Sequence, residues 1–290
     1  MGANMARRLI AKGIKPVVWN RDQAVLARME AEGAIAAKTI TELADKMKGP
    51  RIVWMMIPAG AATETLFMSL LSALQKGDII VDGANSNWND AVRRAKKAAE
   101  NGIAFMDAGV SGGIWGLQNG YCIMTGGEKS TFEKVEPFIK ALCQEGGYMH
   151  CGAAGAGHFT KMVHNGIEYA MMEAYGEGFE LLKASPFGEM DMAAVASLWN
   201  HGSVVRSWLL ELAQDAFDKD PKLEKLAGVV PDSGEGRWTV EEAVRLGVPL
   251  PGIAGALFKR FSSQDKNNYG DRLSAALRNE FGGHAVQKKD

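Results

Sequence analysis

The chain lacks any apolar run approaching the roughly 18 residues that a membrane-spanning helix needs. Cysteine is scarce, with only Cys122, Cys143 and Cys151 among 290 residues. They are widely spaced, odd in number and match no metal-ligand pattern, so no metal is expected; without a secretory signal they point to a reducing compartment. Charge of one sign is missing too. A formal net charge of −1 gives no electrostatic reason to expect nucleic acid or an anionic membrane as partner. Low-complexity segments and clear internal repeats are also absent. What remains is a chain 47% hydrophobic and 23% charged, long enough for two domains with a sizeable core. The expected setting is the cytoplasm.

Up to about residue 150, short apolar runs alternate with helical patterns. The stretches PVVWN (16–20), RIVWMMI (51–57), DIIVDGA (78–84), IAFMDAG (103–109) and GYCIMTGG (120–127) read as strands. Helical patterns separate them, several closed by glycine. This alternation predicts parallel βαβ units in a doubly wound sheet. After Gly155 the strand signals stop, and helices are predicted over 158–183, 190–216, 239–246, 253–265 and 270–280. The expected organisation is an α/β Rossmann-like domain over 1–154, followed by an all-α domain over 155–290 that carries substrate contacts, dimerisation and a C-terminal tail.

The chain opens MGANMARRLIAKG, which reads as the end of a glycine-rich turn running into a helix. In a dinucleotide-binding unit a buried strand precedes G-x-G-x-x-G, and the pyrophosphate sits over the helix N-terminus. Here the strand and the first two glycines are missing, and Gly2 takes the place of the third. A plain N-terminal cap would look the same. The next strand ends VVWNRD, where such a sheet meets the adenine ribose. An acidic residue there would grip the 2′-hydroxyl, whereas Asn20 followed by Arg21 suits a 2′-phosphate and so NADP, with NAD still possible. The alternative for Arg21 is an ordinary surface arginine. Ile57, Pro58 and Ala59 follow another strand, where open sheets bind their ligands. Asn85 and Ser86 follow DIIVDGA and could serve nicotinamide ribose or substrate, or simply make a turn.

One helix carries an unusual line of residues. At about 100° per residue, Asn165 falls about 40° from Lys161 and Glu168 about 20° on its other side, with His164 at the margin of the stripe. That i, i+4, i+7 spacing lets all three ends meet one small molecule. A solvated face with a Lys–Glu pair has the same spacing. Two features argue against it: Gly155 and Gly157 open the helix to close approach, and apolar residues fill its other faces. A lysine desolvated there would have its pKa lowered towards neutrality and could act as a base. A second glycine cluster, GVSGGIWGLQNG (109–120), adds Ser111, Gly112 and Gly113 as possible holders of a carboxylate or phosphate. It is long for a simple turn.

At this point VSGG (110–113), GAGHFTKMVHNGIEY (155–169) and LRNEFGGH (277–284) together resemble motifs of the 6-phosphogluconate dehydrogenase family, within the β-hydroxyacid dehydrogenase superfamily. The likeness spans nearly the whole chain, in the short bacterial-type form that lacks a duplicated helical half. It implies oxidative decarboxylation of 6-phosphogluconate to ribulose 5-phosphate and CO2 in gluconate and pentose phosphate metabolism. Lys161 would take the proton of the C3 hydroxyl, and Glu168 would protonate C1 of the enediol. Asn165 and His164 would orient hydroxyls, and Ser111, Gly112 and Gly113 would hold the carboxylate. Tyr169 and Arg260 would bind the phosphate. Arg278 and His284 match residues that reach a neighbouring subunit's site, which implies a homodimer or higher assembly with tail exchange.

Two departures stand out against that family. Ser233 and Glu235 occupy loop positions where it usually has lysine and threonine near the phosphate, leaving Arg237 nearby. The first strand is also missing, so the chain is expected either to start inside a longer natural protein or to bind cofactor poorly; the intact downstream residues favour the first. The rival readings are a 3-hydroxyisobutyrate-type dehydrogenase, which needs neither a second proton donor nor a phosphate clamp, and a non-catalytic sugar-phosphate-binding remnant.

Overall fold

The computed structural model describes residues 1–287. It divides into two compact units, Met1–Asn165 and Gly166–Asp290. The sequence placed the junction at 154/155, just before the long helix α8 (Ala156–Lys183); the units divide inside that helix.

In the first unit α1 (Gly2–Ala11) leads into β1 (Val17–Trp19), α2 (Gln23–Ala31), β2 (Ile35–Ala37) and α3 (Ile40–Asp45). Then follow β3 (Ile52–Met55), α4 (Ala61–Ala73), β4 (Ile79–Asp82), α5 (Trp88–Glu100) and β5 (Ala104–Ser111). The unit continues with α6 (Gly116–Asn119), β6 (Tyr121–Gly127), α7 (Lys129–Leu142), β7 (Cys143–Gly152) and the start of α8. The strands form a five-stranded sheet ordered β3-β4-β5-β6-β7 and a separate pair, β1-β2. β4 is buried on both faces, which explains its unbroken apolar run. Ile80 packs with Phe67, Leu70 and Phe105 on one side, while Ile79 and Val81 pack with Met5, Met106 and Ile123 on the other.

Rossmann-like α/β architecture followed by helices is what the sequence predicted, but one strand direction differs and two strands, β2 and β7, were not foreseen. β5 and β6 run antiparallel. The segment between them is too short for a parallel crossover, which takes a dozen or more residues, so the chain turns straight back. β7 lies at the sheet's edge. Among the described residues it pairs with β6 alone, and it has little burial, so its sequence CQEGGYMHCG shows no apolar run. In keeping with the expected lack of the first strand, the sheet is in two pieces. A strand before α1 would lie between β1 and β3 in a dinucleotide-binding unit. Among the described residues, β1 pairs only with β2, and β3 only with β4.

The second unit contains the rest of α8, then α9 (Met192–Asn200), α10 (Trp208–Lys219), α11 (Glu235–Leu246), α12 (Pro251–Gln264) and α13 (Tyr269–Gly282). The single helix expected over 190–216 is two. Gly202 takes φ +84°, a left-handed value that breaks the run, and Ser207 caps the new helix by accepting from the Leu210 N–H. Phe179, Ala196, Leu210 and Phe217 form the core beneath them.

Candidate active site

The sheet of the first unit ends in two loops that converge at the C-terminal end of β5. Asn85, after β4, is held in the left-handed region at φ +51°. Its side-chain amide pairs with the backbone of Val110 on β5 like an extra strand residue. Oδ1 accepts from the Val110 N–H at 3.0 Å and Nδ2 donates to its carbonyl at 3.3 Å. The loop itself rests on a buried ion pair. Arg94 donates to Asp82 at 2.8 Å and to the Ser86 hydroxyl at 3.2 Å, and all three side chains are buried. Ser86 therefore supports the loop. Asn85 still has one free N–H and one lone pair for a ligand.

The first turns of α8 lie against β5. Lys161 is 5% exposed, and its Nζ donates to Asn165 Oδ1 at 2.6 Å and lies 3.3 Å from His164 Nδ1. His164 Nε2 in turn lies 3.5 Å from the Ser111 hydroxyl. Lysine, amide, imidazole and hydroxyl thus form one polar chain from α8 to the end of β5. Close approach is possible because β5 has glycine opposite the lysine: a Cβ on Gly109 would lie 2.2 Å from Lys161 Cβ. Gly112 and Gly113, at φ +120° and +52°, turn the chain sharply after Ser111. Glu168 follows on the same helix, half-buried, and the following residue, Tyr169, belongs to a second cluster.

That cluster lies in the second unit. Tyr169 is buried, and the Arg260 guanidinium stacks 3.3 Å above its ring. The phenol donates to Asp232 at 3.3 Å and lies 3.0 Å from the Ser233 hydroxyl. Ser233 donates to Glu235 at 2.6 Å, and Arg237 is ion-paired with Asp232 at 3.0 Å. Asp232, Ser233 and the Arg260 guanidinium thus contact the Tyr169 side chain directly, with Glu235 and Arg237 one hydrogen bond further out. Arg260 is also tied to the Pro231 carbonyl at 2.9 Å. Arg278 and His284 are exposed along and beyond α13, with the His284 ring against Phe281.

The expected nucleotide residues line the ends of β1 and β3. The N-terminus of α1 has neither a side-chain cap nor an acidic residue in its first turn, so its N–H groups suit an anion. Gly2 is pressed against β3's end, its missing Cβ only 3.0 Å from Met56 Cβ. Ile57, Pro58 and Ala59 form the next loop, fixed by the Thr63 hydroxyl on the Pro58 carbonyl at 2.8 Å. Asn20 accepts from the Asp22 N–H at 2.8 Å, Asp22 caps α2, and Arg21 is exposed beside them. These residues fit a dinucleotide laid along this edge. Sequence reasoning missed Asp107 and Asp232, and noted Gly109 only as the first residue of a glycine cluster. Among the described residues no group of three His, Cys, Asp or Glu could hold a metal ion, and no helix is long and apolar enough to cross a membrane.

A buried lysine beside the strand ends where α/β sheets bind nucleotides is compatible with a nicotinamide-dependent dehydrogenase. The chain belongs to the 6-phosphogluconate dehydrogenase family. Residues 1–155 match the model of that enzyme's NAD-binding domain, and residues 157–290 match its C-terminal domain. It is 37% identical to an NAD(+)-dependent, decarboxylating 6-phosphogluconate dehydrogenase of Haloferax volcanii, over 100% of this chain and 96% of that protein. It is 36% identical to the NADP(+)-dependent enzyme of Bacillus subtilis, but there it spans 92% of its own length and 60% of the relative's. A Plasmodium falciparum 6-phosphogluconate dehydrogenase, solved with NADP+ and with 6-phosphogluconate, superposes with a TM-score of 0.83 at 29% identity, covering 100% of this chain and 64% of that one. A Salmonella typhimurium 3-hydroxyisobutyrate dehydrogenase shares the fold, with a TM-score of 0.75 at 21% identity and 90% of each chain covered.

Proposed function

We propose that this protein oxidises and decarboxylates 6-phosphogluconate to ribulose 5-phosphate and CO2, with NADP or NAD as acceptor. The observation that carries this reading is the buried Lys161, held by Asn165 beside His164 and Ser111. As a neutral amine, Lys161 accepts the proton of the C3 hydroxyl. When bound, the nicotinamide nucleotide supplies the hydride acceptor. Lys161, once protonated, stabilises the negative charge that develops on the C3 oxygen as the C1 carboxylate leaves. Glu168, two turns further along α8, then donates a proton to the carbon that has lost CO2, C2 of the substrate and C1 of the enediol, to give ribulose 5-phosphate.

His164 and Asn165 orient the substrate hydroxyls, and Asn85 reaches substrate or nicotinamide ribose from the loop it shares with Val110. Ser111, Gly112 and Gly113 hold the carboxylate end, while Tyr169 and Arg260 hold the phosphate, with Arg237 adding positive charge opposite Asp232 and Glu235. Gly2 and the loop at Ile57, Pro58 and Ala59 receive the nucleotide, and Asn20 and Arg21 favour the 2′-phosphate of NADP. We further infer a cytoplasmic homodimer or larger assembly. On α13, Tyr269, Leu273, Leu277 and Phe281 are exposed at four-residue spacing, an apolar stripe suited to a second copy that Arg278 and His284 would reach.

Absorbance at 340 nm with 6-phosphogluconate, and NADP or NAD, tests the reading. Reduction accompanied by CO2 release supports it. Turnover of 3-hydroxyisobutyrate in its place would overturn it, and calorimetric binding of 6-phosphogluconate without reduction would favour the non-catalytic remnant.

A further inference from the structure

Asp107 is buried, with 0% exposure, and has no ion-pair partner among the described residues. Its carboxylate is used entirely on the start of α8. Oδ1 accepts from the Gly155 N–H at 2.6 Å and Oδ2 from the His158 N–H at 2.7 Å. Gly155 stands at the N-cap of this helix and has no side chain with which to cap it. Asp107, from a strand 48 residues earlier, supplies that function for the cap position and for the third helical residue. The helix dipole offsets its charge. The fit leaves no slack, since a Cβ on Gly126 would lie 2.6 Å from Asp107 Oδ1 and one on Gly157 2.8 Å from Oδ2.

The contact begins a longer seam. Alternate residues of β5 share one face, and residues three apart on α8 share another. Asp107 meets His158, Gly109 meets Lys161, and Ser111 meets His164. The bond at the first step therefore sets where the lysine stands at the second.

We propose that Asp107 is a positioning residue: by capping α8 from β5 it fixes the register of the helix on the strand and thereby the place of Lys161. The proposal rests on the assignment of Lys161 as base, and its test has an arm independent of turnover. Asp107→Asn keeps the shape but can accept only one of the two N–H bonds and turns an N–H donor on the other. The comparison is Asp78→Asn, which weakens a similar buried anchor at the start of β4, on the Arg51 and Gln75 N–H groups.

A displacement of about 1 Å costs up to roughly 100-fold in rate, so Asp107→Asn is expected to lower kcat at least ~10-fold with KM for 6-phosphogluconate within ~3-fold. Asp78→Asn should lower Tm while leaving kcat within ~2-fold. In parallel, the acylation rate of Lys161, followed by peptide mass spectrometry against the other lysines, should change at least ~3-fold in the Asp107 variant only. Equal effects of the two variants, or an unchanged Lys161 labelling rate, would overturn the proposal. If the unaltered protein shows no turnover, the base assignment fails, and labelling alone decides whether Asp107 positions the lysine. Should Asp107→Asn not fold, Gly157→Ala pushes the helix off an intact carboxylate and is read in the same way.

Discussion

Replacing Gly109 by alanine puts a methyl group into the narrowest part of the strand–helix seam. The new Cβ would lie 2.2 Å from Lys161 Cβ, 2.9 Å from its Cγ and 3.0 Å from the Gly157 carbonyl oxygen. Carbon atoms in contact sit about 3.5–4.0 Å apart, so the neighbours must retreat by about 1.5 Å. None can do so by rotating a flexible end: the contacts are the root of the lysine side chain and helix backbone. Overpacking of this kind costs about 1–3 kcal/mol, and a shift of that size at the base costs up to roughly 100-fold in kcat. Gly178 supplies the contrast. It lies inside α8, with an ordinary helical backbone and nothing within 4 Å of the place an alanine methyl would take. Alanine there should stabilise by about 0.5–1 kcal/mol and leave kcat alone. Thermal unfolding and steady-state assays on both variants decide the matter. If Gly109→Ala retains both Tm and kcat, β5 does not hold the lysine as tightly as described, and the seam has no role in the chemistry.

Lys161→Met should abolish NADPH formation while sparing the fold, and Glu168→Gln should cripple overall turnover for want of protonation of the enediol; undiminished rates at 340 nm would remove the corresponding role. Arg21→Ala should raise KM for NADP far more than for NAD, and an equal rise for both would refute the 2′-phosphate assignment. Glu64 accepts hydrogen bonds from Arg93 and Arg94, chiefly Arg93, which hold its carboxyl at about 2 against an ordinary 4.5. A carboxyl pKa lowered by folding stabilises the fold above its unfolded value, and that contribution is lost as pH falls from about 4.5 towards 2. With the side chain 34% exposed, solvent screening limits the effect to about 1 kcal/mol. Glu64→Gln should flatten the fall in Tm through that window, so parallel curves for the two proteins would contradict the assignment.

The sequence was most legible where one physical constraint acts alone. A strand buried on both faces must be apolar throughout, so β4 stood out, as did most of β3 and β5. A helix repeats every 3.6 residues, so Lys161 and Asn165 could be aligned before their 2.6 Å hydrogen bond was seen. Strand direction has no such signature, and the antiparallel turn from β5 to β6 went unread. β7 escaped because an edge strand with little burial needs no apolar pattern. Asp107 was hidden for another reason. A carboxylate in the run IAFMDAG reads as the polar end of a strand, because its partners are backbone N–H groups that every residue carries. Only the glycines recorded its presence, at 109, 126, 155 and 157, each a place where a side chain would collide with the seam or with its neighbours. In this unit the glycines say where the backbone must come close, and the titratable residues say what chemistry that closeness serves; the site becomes readable when both patterns fall on the same strand and helix.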